Sequence, residues 1–273
     1  MVFYGIIRLC INIHLWGGGK FKVIVKEYPR DMQYLTLYPI SDVHWGAAEC
    51  MECEFKAYLK KIEDDPYAGV VLAGDLINNG IRSSKTDVYR EKYRPDVQKE
   101  MMIELLHPIK DKIIAGVSGN HEYRSVKEVS QDVTKDMFDV LGIKDRYVPD
   151  AAFIKVSVGE KQNKKPATYM IYLSHGSGGG STLGAGISKQ DNYQLSIEGV
   201  DISVTGHTHR PTKTPAGRLT FDPRNNNIIR SNTLIFICTA WLDYAGYPER
   251  AQMKATAFYP DTIRLDGTAK TWS

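Results

Sequence analysis

The chain has 273 residues, of which 42% are hydrophobic and 25% charged, and its formal net charge is +3. This balance is that of an ordinary globular protein and excludes a disordered or fibrous chain. The small net charge singles out neither a nucleic-acid-binding nor a membrane-binding protein. The four cysteines are too few for a disulfide scaffold and indicate a reducing compartment, so we expect a cytoplasmic protein.

The first nineteen residues are mostly apolar, but Arg8, Asn12 and His14 interrupt them, and no cleavage-site pattern follows. We therefore expect residues 1–19 to form an N-terminal arm or an extra strand rather than a signal peptide. Residues 20–273 are predicted to form a single domain, because single α/β domains often reach this size. No later segment has the ~20 uninterrupted apolar residues that span a bilayer, so no membrane contact is expected.

Short runs rich in β-branched and aromatic residues recur from Lys20 onward, separated by turn residues. Seven of these runs predict strands: Phe21–Tyr28, Tyr34–Ile40, Gly69–Ala73, Lys112–Val117, Thr168–Leu173, Ile202–Thr205 and Leu234–Cys238. Three segments with apolar residues at helical spacing predict helices: Glu52–Ile62, Pro95–Leu106 and Val126–Leu141. Strands alternate with helices in the first half and dominate the second, which predicts mixed sheets with helices outside.

Five of the seven histidines lie in loops directly after predicted strands. The loops carry the segments Ser41-Asp42-Val43-His44, Gly74-Asp75, Gly119-Asn120-His121-Glu122, Ser174-His175-Gly176 and Gly206-His207-Thr208-His209. A histidine that only packs in a core has no reason to prefer strand ends, whereas ligands gather in such loops. The sequence therefore predicts one metal site built from these loops.

The spacing inside these segments predicts how the donors are paired. Residues two apart in an extended chain point the same way, so Asp42 with His44, and His207 with His209, are expected to face one cavity. Asp75 ends an apolar strand, where a buried carboxylate needs a cation or strong donors, and a bridging position suits it. Imidazole, carboxylate and amide donors without a thiolate favour manganese, iron, zinc or a similar ion. Two such cations about 3.5 to 4 Å apart acidify a shared water and stabilise an in-line displacement at phosphorus.

The ordered set D-x-H, G-D, G-N-H-E, H and G-H-x-H resembles the calcineurin-like metallophosphoesterase superfamily, over Asp42 to His209. The resemblance implies a four-layer α/β/β/α sandwich, in which two mixed β-sheets are flanked by helices. It also implies two divalent metal ions, with manganese foremost and iron, zinc or nickel as alternatives. By motif, one ion is held by Asp42, His44 and His209, the other by Asn120, His175 and His207, and Asp75 bridges them.

The same resemblance leaves His121 outside the ligand set. It implies that this histidine faces the scissile ester and assists the leaving group, as a general acid does. Many relatives have an acidic residue three positions after the bridging aspartate to orient this histidine, whereas here that position is Asn78. Two hypotheses follow: either Glu122 substitutes, or the substrate has a leaving group that needs less help.

Four other segments have both a structural and a functional interpretation. The C-x-x-C of Cys50–Cys53 is predicted to be an ordinary helix start rather than a redox or metal motif. The basic stretch Arg82–Arg94 is predicted to be a solvated face rather than a phosphate track, and Trp241–Tyr247 to pack in the core rather than stack on a base. The glycine-rich Gly176–Gly186 is either a phosphate-binding substrate loop or a mobile connection. The glycine-rich and aromatic segments are similar to those of phage and prophage members of the superfamily.

The predicted function is metal-dependent hydrolysis of a phosphate ester, with His121 assisting the leaving group. A phosphodiester of nucleic acid or of a nucleotide is favoured, because of the basic stretch, the aromatic segment and the phage resemblance. The alternatives are a phosphomonoesterase or protein phosphatase and, in a different class, a non-catalytic metal-binding scaffold. Scaffold members typically lose ligands, whereas all seven ligand positions and His121 are present here, which favours an enzyme.

Overall fold

The computed structural model describes residues 7–8, 22–84, 87–178, 182–194, 196–245, 249 and 254–273. The strands within them are β1 (Ile7–Arg8), β2 (Val23–Glu27), β3 (Tyr34–Ile40), β4 (Ala68–Leu72), β5 (Ile113–Val117), β6 (Tyr147–Val148), β7 (Ala151–Val158), β8 (Ala167–Ser174), β9 (Ile202–Thr205), β10 (Thr212–Asp222), β11 (Asn227–Ile237) and β12 (Ile263–Asp266). The α-helices are α1 (Glu52–Asp64), α2 (Pro95–Leu106), α3 (Asn120–Val129), α4 (Val133–Val140) and α5 (Leu183–Gln194). From β3 to β6 helices separate successive strands, which is the pattern predicted for the first half.

The smaller of the two sheets has five strands in the order β12-β3-β4-β5-β6. The strands β3 to β6 are parallel and β12 is antiparallel to β3, so the sheet is mixed. Successive residues of β4 face opposite sides: Val70 and Leu72 pack with Phe55 of α1 and Met102 of α2, while Val71 faces the other sheet. Burial on both faces explains why the sequence of β4 is apolar throughout.

The larger sheet has seven strands in the order β1-β2-β7-β8-β9-β11-β10 and mixes parallel with antiparallel pairs. Its inner face, which includes Tyr169 and Ile171, packs against the smaller sheet in one apolar layer. On its outer face the rings of Tyr172 in β8 and Tyr193 in α5 lie 5.8 Å apart between centroids. The predicted sandwich of two mixed sheets flanked by helices is therefore confirmed.

One predicted helix is wrong. The segment Val126–Leu141 is split between α3 and α4 rather than forming one helix. Ser130 follows α3 with a left-handed φ of +56°, and Asp132 then begins α4 by accepting the backbone N–H of Lys135 at 2.9 Å. A left-handed residue followed by a side-chain cap ends one helix and starts another.

Ile7 and Arg8 pair antiparallel with Lys26 and Val25 of β2, and the other residues of the segment 1–19 lie outside the described part of the chain. Among the residues that the structure describes, no helix combines the length and apolar character needed to cross a membrane.

Candidate metal centre

The predicted donors lie in loops that follow strands of both sheets. Asp42, Asp75 and Asn120 follow β3, β4 and β5 of the smaller sheet, and His175 and His207 follow β8 and β9 of the larger one. These are the carboxyl ends of the strands, where ligands of sheet proteins collect. The facing sheets thus contribute to one shared site.

Two motif glycines allow these loops to approach one another. A Cβ atom on Gly206 would overlap Oδ2 of Asp42, and one on Gly119 would overlap Oδ1 of Asp75. Any side chain at either position would push a carboxylate out of the site. The glycines of G-H-x-H and G-N-H-E therefore have a steric role.

Asp42, His44 and His209 form one group of donor atoms. Nε2 of His209 is 3.2 Å from Nε2 of His44 and 3.2 Å from Oδ1 of Asp42. The carboxylate of Asp42 is held in place by the backbone N–H of His207, which donates to both of its oxygens at 3.0 and 2.9 Å. We name Asp42, His44 and His209 the first donor group.

Asp75, His175 and His207 form a second group, to which Asn120 adds an amide oxygen. Oδ1 of Asn120 is 2.7 Å from Nδ1 of His207 and 2.9 Å from Nε2 of His175. The same Nε2 of His175 is 3.3 Å from Oδ2 of Asp75. These four residues are the second donor group.

Asp75 lies next to both donor groups. Its Oδ2 is 3.3 Å from Nε2 of His175 and 3.9 Å from Nε2 of His44, while its Oδ1 accepts the backbone N–H of His121 at 2.8 Å. Its carboxylate therefore lies within reach of donors from both groups. The grouping is also the one that the family resemblance implies, and the ligand roles themselves stay predictions.

The backbone of these motifs does not have the extended conformation that was predicted to pair residues two apart. Asp42, His44, Asp75, His207 and His209 are not extended, since their φ angles lie between +48° and +67°. Moreover His207 and His209 contribute to different donor groups. Left-handed backbone in residues other than glycine costs on the order of 1 to 3 kcal/mol and concentrates at functional sites.

The hydrogen bonds of His175 test whether the site fits a cation. A carbonyl oxygen only accepts, so Nδ1 of His175 carries the proton that it donates to the carbonyl of Ala73 at 2.7 Å. Its Nε2 then faces oxygen acceptors of Asp75 and Asn120. Burial lowers the pKa of His175, but the charge of Asp75 outweighs burial and raises it to about 10. The surroundings of His175 Nε2 therefore favour a positive charge, which a divalent cation would supply. The donor atoms around it fit such a cation.

Three other donors, Asp42, Asp75 and His44, are in the protonation states that metal ligands need. Burial raises the pKa of Asp42 and of Asp75, but the charges of His209 and His175, respectively, outweigh it and hold both pKa values below the usual range. Burial lowers the pKa of His44 well below its usual value. The carboxylates are thus ionised and the His44 imidazole is neutral.

His121 lies beside both donor groups, and its ring also forms a third close set of donor atoms with His44 and Asp75. Its ring centroid is 4.4 Å from that of His44, and its Nε2 is 3.9 Å from Oδ2 of Asp75. Its Nδ1 donates to the backbone carbonyl of Asn78 at 2.8 Å, which turns Nε2 towards the site. Burial lowers the pKa of His121, although Asp75 opposes this.

The hypothesis that Glu122 orients His121 is wrong. The Glu122 carboxylate is fully buried and accepts backbone N–H groups of Asp75, Leu76 and Gly119 at 3.0, 2.6 and 2.9 Å. Its role is to fix the loop that carries Asp75 against the start of α3. Only the contact with Gly119 had a sequence signal, because a Glu at the third helical position often accepts the backbone N–H of the residue before the helix.

The core packing predicted for Trp241–Tyr247 holds for Trp241 but not for Tyr244, which is 44% exposed. Trp241 is buried in the core, with its ring 5.1 Å from that of Phe55 and 5.0 Å from that of Tyr58, while residues 246–248 lie outside the described part. The basic stretch is largely neutralised, and its Lys85 also lies outside the described part. Three ion pairs account for this: Arg90 with Glu49 at 3.4 Å, Lys92 with Glu52 at 2.9 Å and Arg94 with Asp96 at 2.8 Å.

The C-x-x-C segment also has the properties of an ordinary helix start. The thiol of Cys50 is buried and lies 3.3 Å from the carbonyl oxygen of Val43, and burial raises its pKa to about 12. Cys53 is a free, exposed residue of α1. A thiol that stays protonated is a poor metal ligand and a poor nucleophile.

A family model described as calcineurin-like phosphoesterase matches residues 35–211. The match covers more than half of the chain, and the chain belongs to the calcineurin-like phosphoesterase family. It is a metal-dependent phosphoric ester hydrolase, a class that the convergent Asp and His donors fit.

Among solved structures, one from Streptococcus pneumoniae TIGR4 is described as a conserved uncharacterized protein and predicted phosphoesterase. It shares 16% sequence identity, covers 85% of this chain and 83% of its own, and gives a TM-score of 0.34. No curated protein sequence matches the chain.

Proposed function

We propose that the protein hydrolyses phosphodiesters of nucleic acid or of a nucleotide, and that it does so with two divalent cations. The observation that carries this proposal is the sharing of Asp75 between two donor groups, each with its own imidazoles. The proposed ligands are Asp42, His44 and His209 for one cation, Asn120, His175 and His207 for the other, and Asp75 for both.

When bound, two such cations activate a water molecule and stabilise the charge that develops on the phosphoryl oxygens. The chain's own part is to hold the donors in fixed positions. The backbone N–H of His207 orients Asp42, the backbone N–H of His121 orients Asp75, and the carbonyl of Ala73 orients His175. Such supporting bonds fix the direction and protonation of a ligand.

We assign His121 to the leaving group. Its Nδ1 proton is committed to the carbonyl of Asn78, so only Nε2 faces the site; a second proton carried on Nε2 can pass to the departing oxygen, which leaves the neutral ring with its Nδ1 proton in place. At 3.9 Å from Asp75, Nε2 is close to the reacting centre.

The preference for a diester rests on a cleft beside the second donor group. The cleft has a volume of about 720 Å³ and is lined by Asn120 and His175, whereas His121 is not part of its wall. A diester has a second esterified group that needs space away from the leaving group, and the cleft provides it. A monoester has no such group. The basic stretch and Trp241 no longer support the diester preference, because the former is ion-paired and the latter is buried.

The test is a comparison of substrates on protein purified without chelator, with its metal content measured by elemental analysis. The panel is bis-p-nitrophenyl phosphate, p-nitrophenyl phosphate, cyclic nucleotides and single-stranded DNA, each with added manganese. We expect faster turnover of the diesters and loss of turnover in Asp75→Ala. Turnover of the monoester alone would contradict the diester preference, and absence of bound metal would contradict the whole proposal.

A further inference from the structure

The cleft beside the second donor group has walls from several parts of the fold. Its wall includes Asn120, Tyr123, His175, Lys189, Gln190 and Tyr193. Because Asn120 and His175 belong both to this wall and to the second donor group, the cleft opens directly onto the reacting centre. Its volume of about 720 Å³ lies in the range of sites for small organic ligands.

Two tyrosines give the cleft aromatic surface. Tyr123 of α3 is 43% exposed and Tyr193 of α5 is 49% exposed, so part of each ring is free to contact a ligand. The hydroxyl of Tyr193 is 3.0 Å from that of Tyr172, and this contact restrains the direction of its ring. A flat ligand ring can stack on such surfaces.

Gln190 gives the cleft a polar side chain whose amide reaches the cleft. Its side chain is only 4% exposed, it lines the cleft, and no described residue hydrogen-bonds to its amide. Its Nε2 lies against Gly176, the residue after His175, where a Cβ atom would approach it to 3.2 Å. An amide that lines a cleft without a protein partner can pair with a ligand that both donates and accepts hydrogen bonds.

Lys189 adds a positive charge to the same wall. Its side chain lies against Gly178, in the loop that leaves His175, and is exposed to the cleft. Stacking surface, an amide and a cation beside a phosphate-processing centre define a specific kind of ligand. A lipid chain would leave the amide and the cation unused, whereas a nucleobase linked to a phosphate uses all three features.

We propose that this cleft binds the nucleobase of the substrate, stacked on Tyr193 or Tyr123 and hydrogen-bonded through its edge to Gln190. The inference rests on the proposed function, since it places the base on the part of the diester that is not the leaving group. Amide side chains pair with base edges because they offer a donor and an acceptor side by side.

The test is a binding measurement on the full-length, metal-loaded protein by isothermal titration calorimetry. The two probes are non-hydrolysable phosphonates of adenosine 5′-monophosphate and of ribose 5-phosphate, which differ only in the base. We expect the adenosine compound to bind at least about tenfold more tightly, which is the size of one base stack. Tyr193→Ala and Gln190→Leu should each remove most of that difference without weakening the base-free probe.

Matched variants separate stacking from damage to the fold. Tyr193→Phe keeps the ring and should keep most of the preference, and Tyr123→Ala tests the cleft from a different helix. Tyr89→Ala, which removes a tyrosine that is 96% exposed and does not line the cleft, should change neither affinity. Each variant's melting temperature shows whether it is folded.

Two results would overturn the inference. One is equal affinity of the unchanged protein for the two probes. The other is that Tyr193→Ala and Tyr123→Ala each weaken the binding of the two probes by the same factor. Neither result depends on turnover. If the protein hydrolyses bis-p-nitrophenyl phosphate but shows no preference for the base, only the base site fails. If it hydrolyses no phosphate ester at all, the proposed function fails, and the affinity ratio still decides the base site separately.

Discussion

Nδ1 of His121 lies 2.8 Å from the backbone carbonyl oxygen of Asn78, while the side-chain amide of Asn78 donates to Glu91 at 2.9 Å. The residue that replaces the usual acid therefore orients the histidine through its main chain. A carbonyl does not titrate, so the identity of the side chain at this position has no direct route to the protonation of His121.

Asn78→Asp should therefore leave the pH–rate profile unchanged and lower stability. The new carboxylate would face Glu91, whose pKa burial already raises, and it would replace a hydrogen bond worth about 1 kcal/mol with repulsion between two acids. Thermal unfolding and pH–rate profiles measure the two effects. Asn78→Ala is the control, because it removes the hydrogen bond without adding charge. A profile that shifts in Asn78→Asp but not in Asn78→Ala would show that the carboxylate reaches His121.

His121→Ala should reduce activity in a way that depends on the leaving group. Loss of a general acid costs about 10²- to 10⁴-fold, and the full cost appears only when the departing alkoxide needs a proton. We expect a large drop in kcat for an alkyl diester and a much smaller one for bis-p-nitrophenyl phosphate. His107→Ala, at an exposed histidine that follows α2, is the matched control. Equal losses on both substrates would remove the general-acid assignment.

Gly206→Ala should weaken metal binding because its methyl group would displace Asp42. Forcing extra atoms into a packed site typically costs about 1 to 3 kcal/mol, and here the displaced group is a proposed ligand. Elemental analysis after dialysis should find less bound metal than in the unchanged protein. Gly184→Ala is the comparison, since nothing lies within 4 Å of the added atom. Full metal content in Gly206→Ala would mean that the loops have more room than the structure shows.

Removing divalent cations with a chelator should abolish hydrolysis and lower the melting temperature. An ion that binds only the folded protein stabilises it by about 2.7 kcal/mol at one hundred times its dissociation constant. The ionised carboxylates of Asp42 and Asp75 then lose their counter-charge. Calorimetric scans before and after adding manganese back measure the effect, and a melting temperature insensitive to both treatments would argue against bound ions.

The thiols should differ in reactivity. In the folded protein, iodoacetamide should label Cys53, which is exposed, and spare Cys50 and Cys238, which are buried. Burial also raises the pKa of both buried thiols, so little thiolate is present to react. Peptide mapping by mass spectrometry, with and without denaturant, measures this. A disulfide joining Cys50 to Cys53 in that map would revive the redox interpretation.

The convergence of the donor side chains could be predicted because each lies in a short motif directly after a strand. What the sequence did not reveal is the left-handed backbone of His207 and His209, which sends the two rings to different donor groups. Conformation at single residues depends on which loops they meet, and those contacts are distant along the chain. The same holds for the splitting of Val126–Leu141, because the left-handed φ of Ser130 could not be predicted from its residue type.

Two long strands escaped prediction for different reasons. In β7, Lys155 and Ser157 alternate with Ile154 and Val156, so its period-two pattern is regular but less apolar than that of the central strands. Strand β10 contains a proline and a glycine, which argue against a central strand, and it lies at the edge of its sheet, where proline is tolerated.

The division of the donors between the two sheets has a mechanical consequence. Asp42 follows a strand of one sheet and His209 a strand of the other, so an ion held by the proposed ligands would join the two sheets. A shift of one sheet relative to the other by a fraction of an ångström would move the proposed ligands out of position. The apolar packing around Val71 and Ile171 opposes that shift. The packing of the apolar core thus fixes the spacing of the two sheets and, with it, the spacing of the proposed metal ligands.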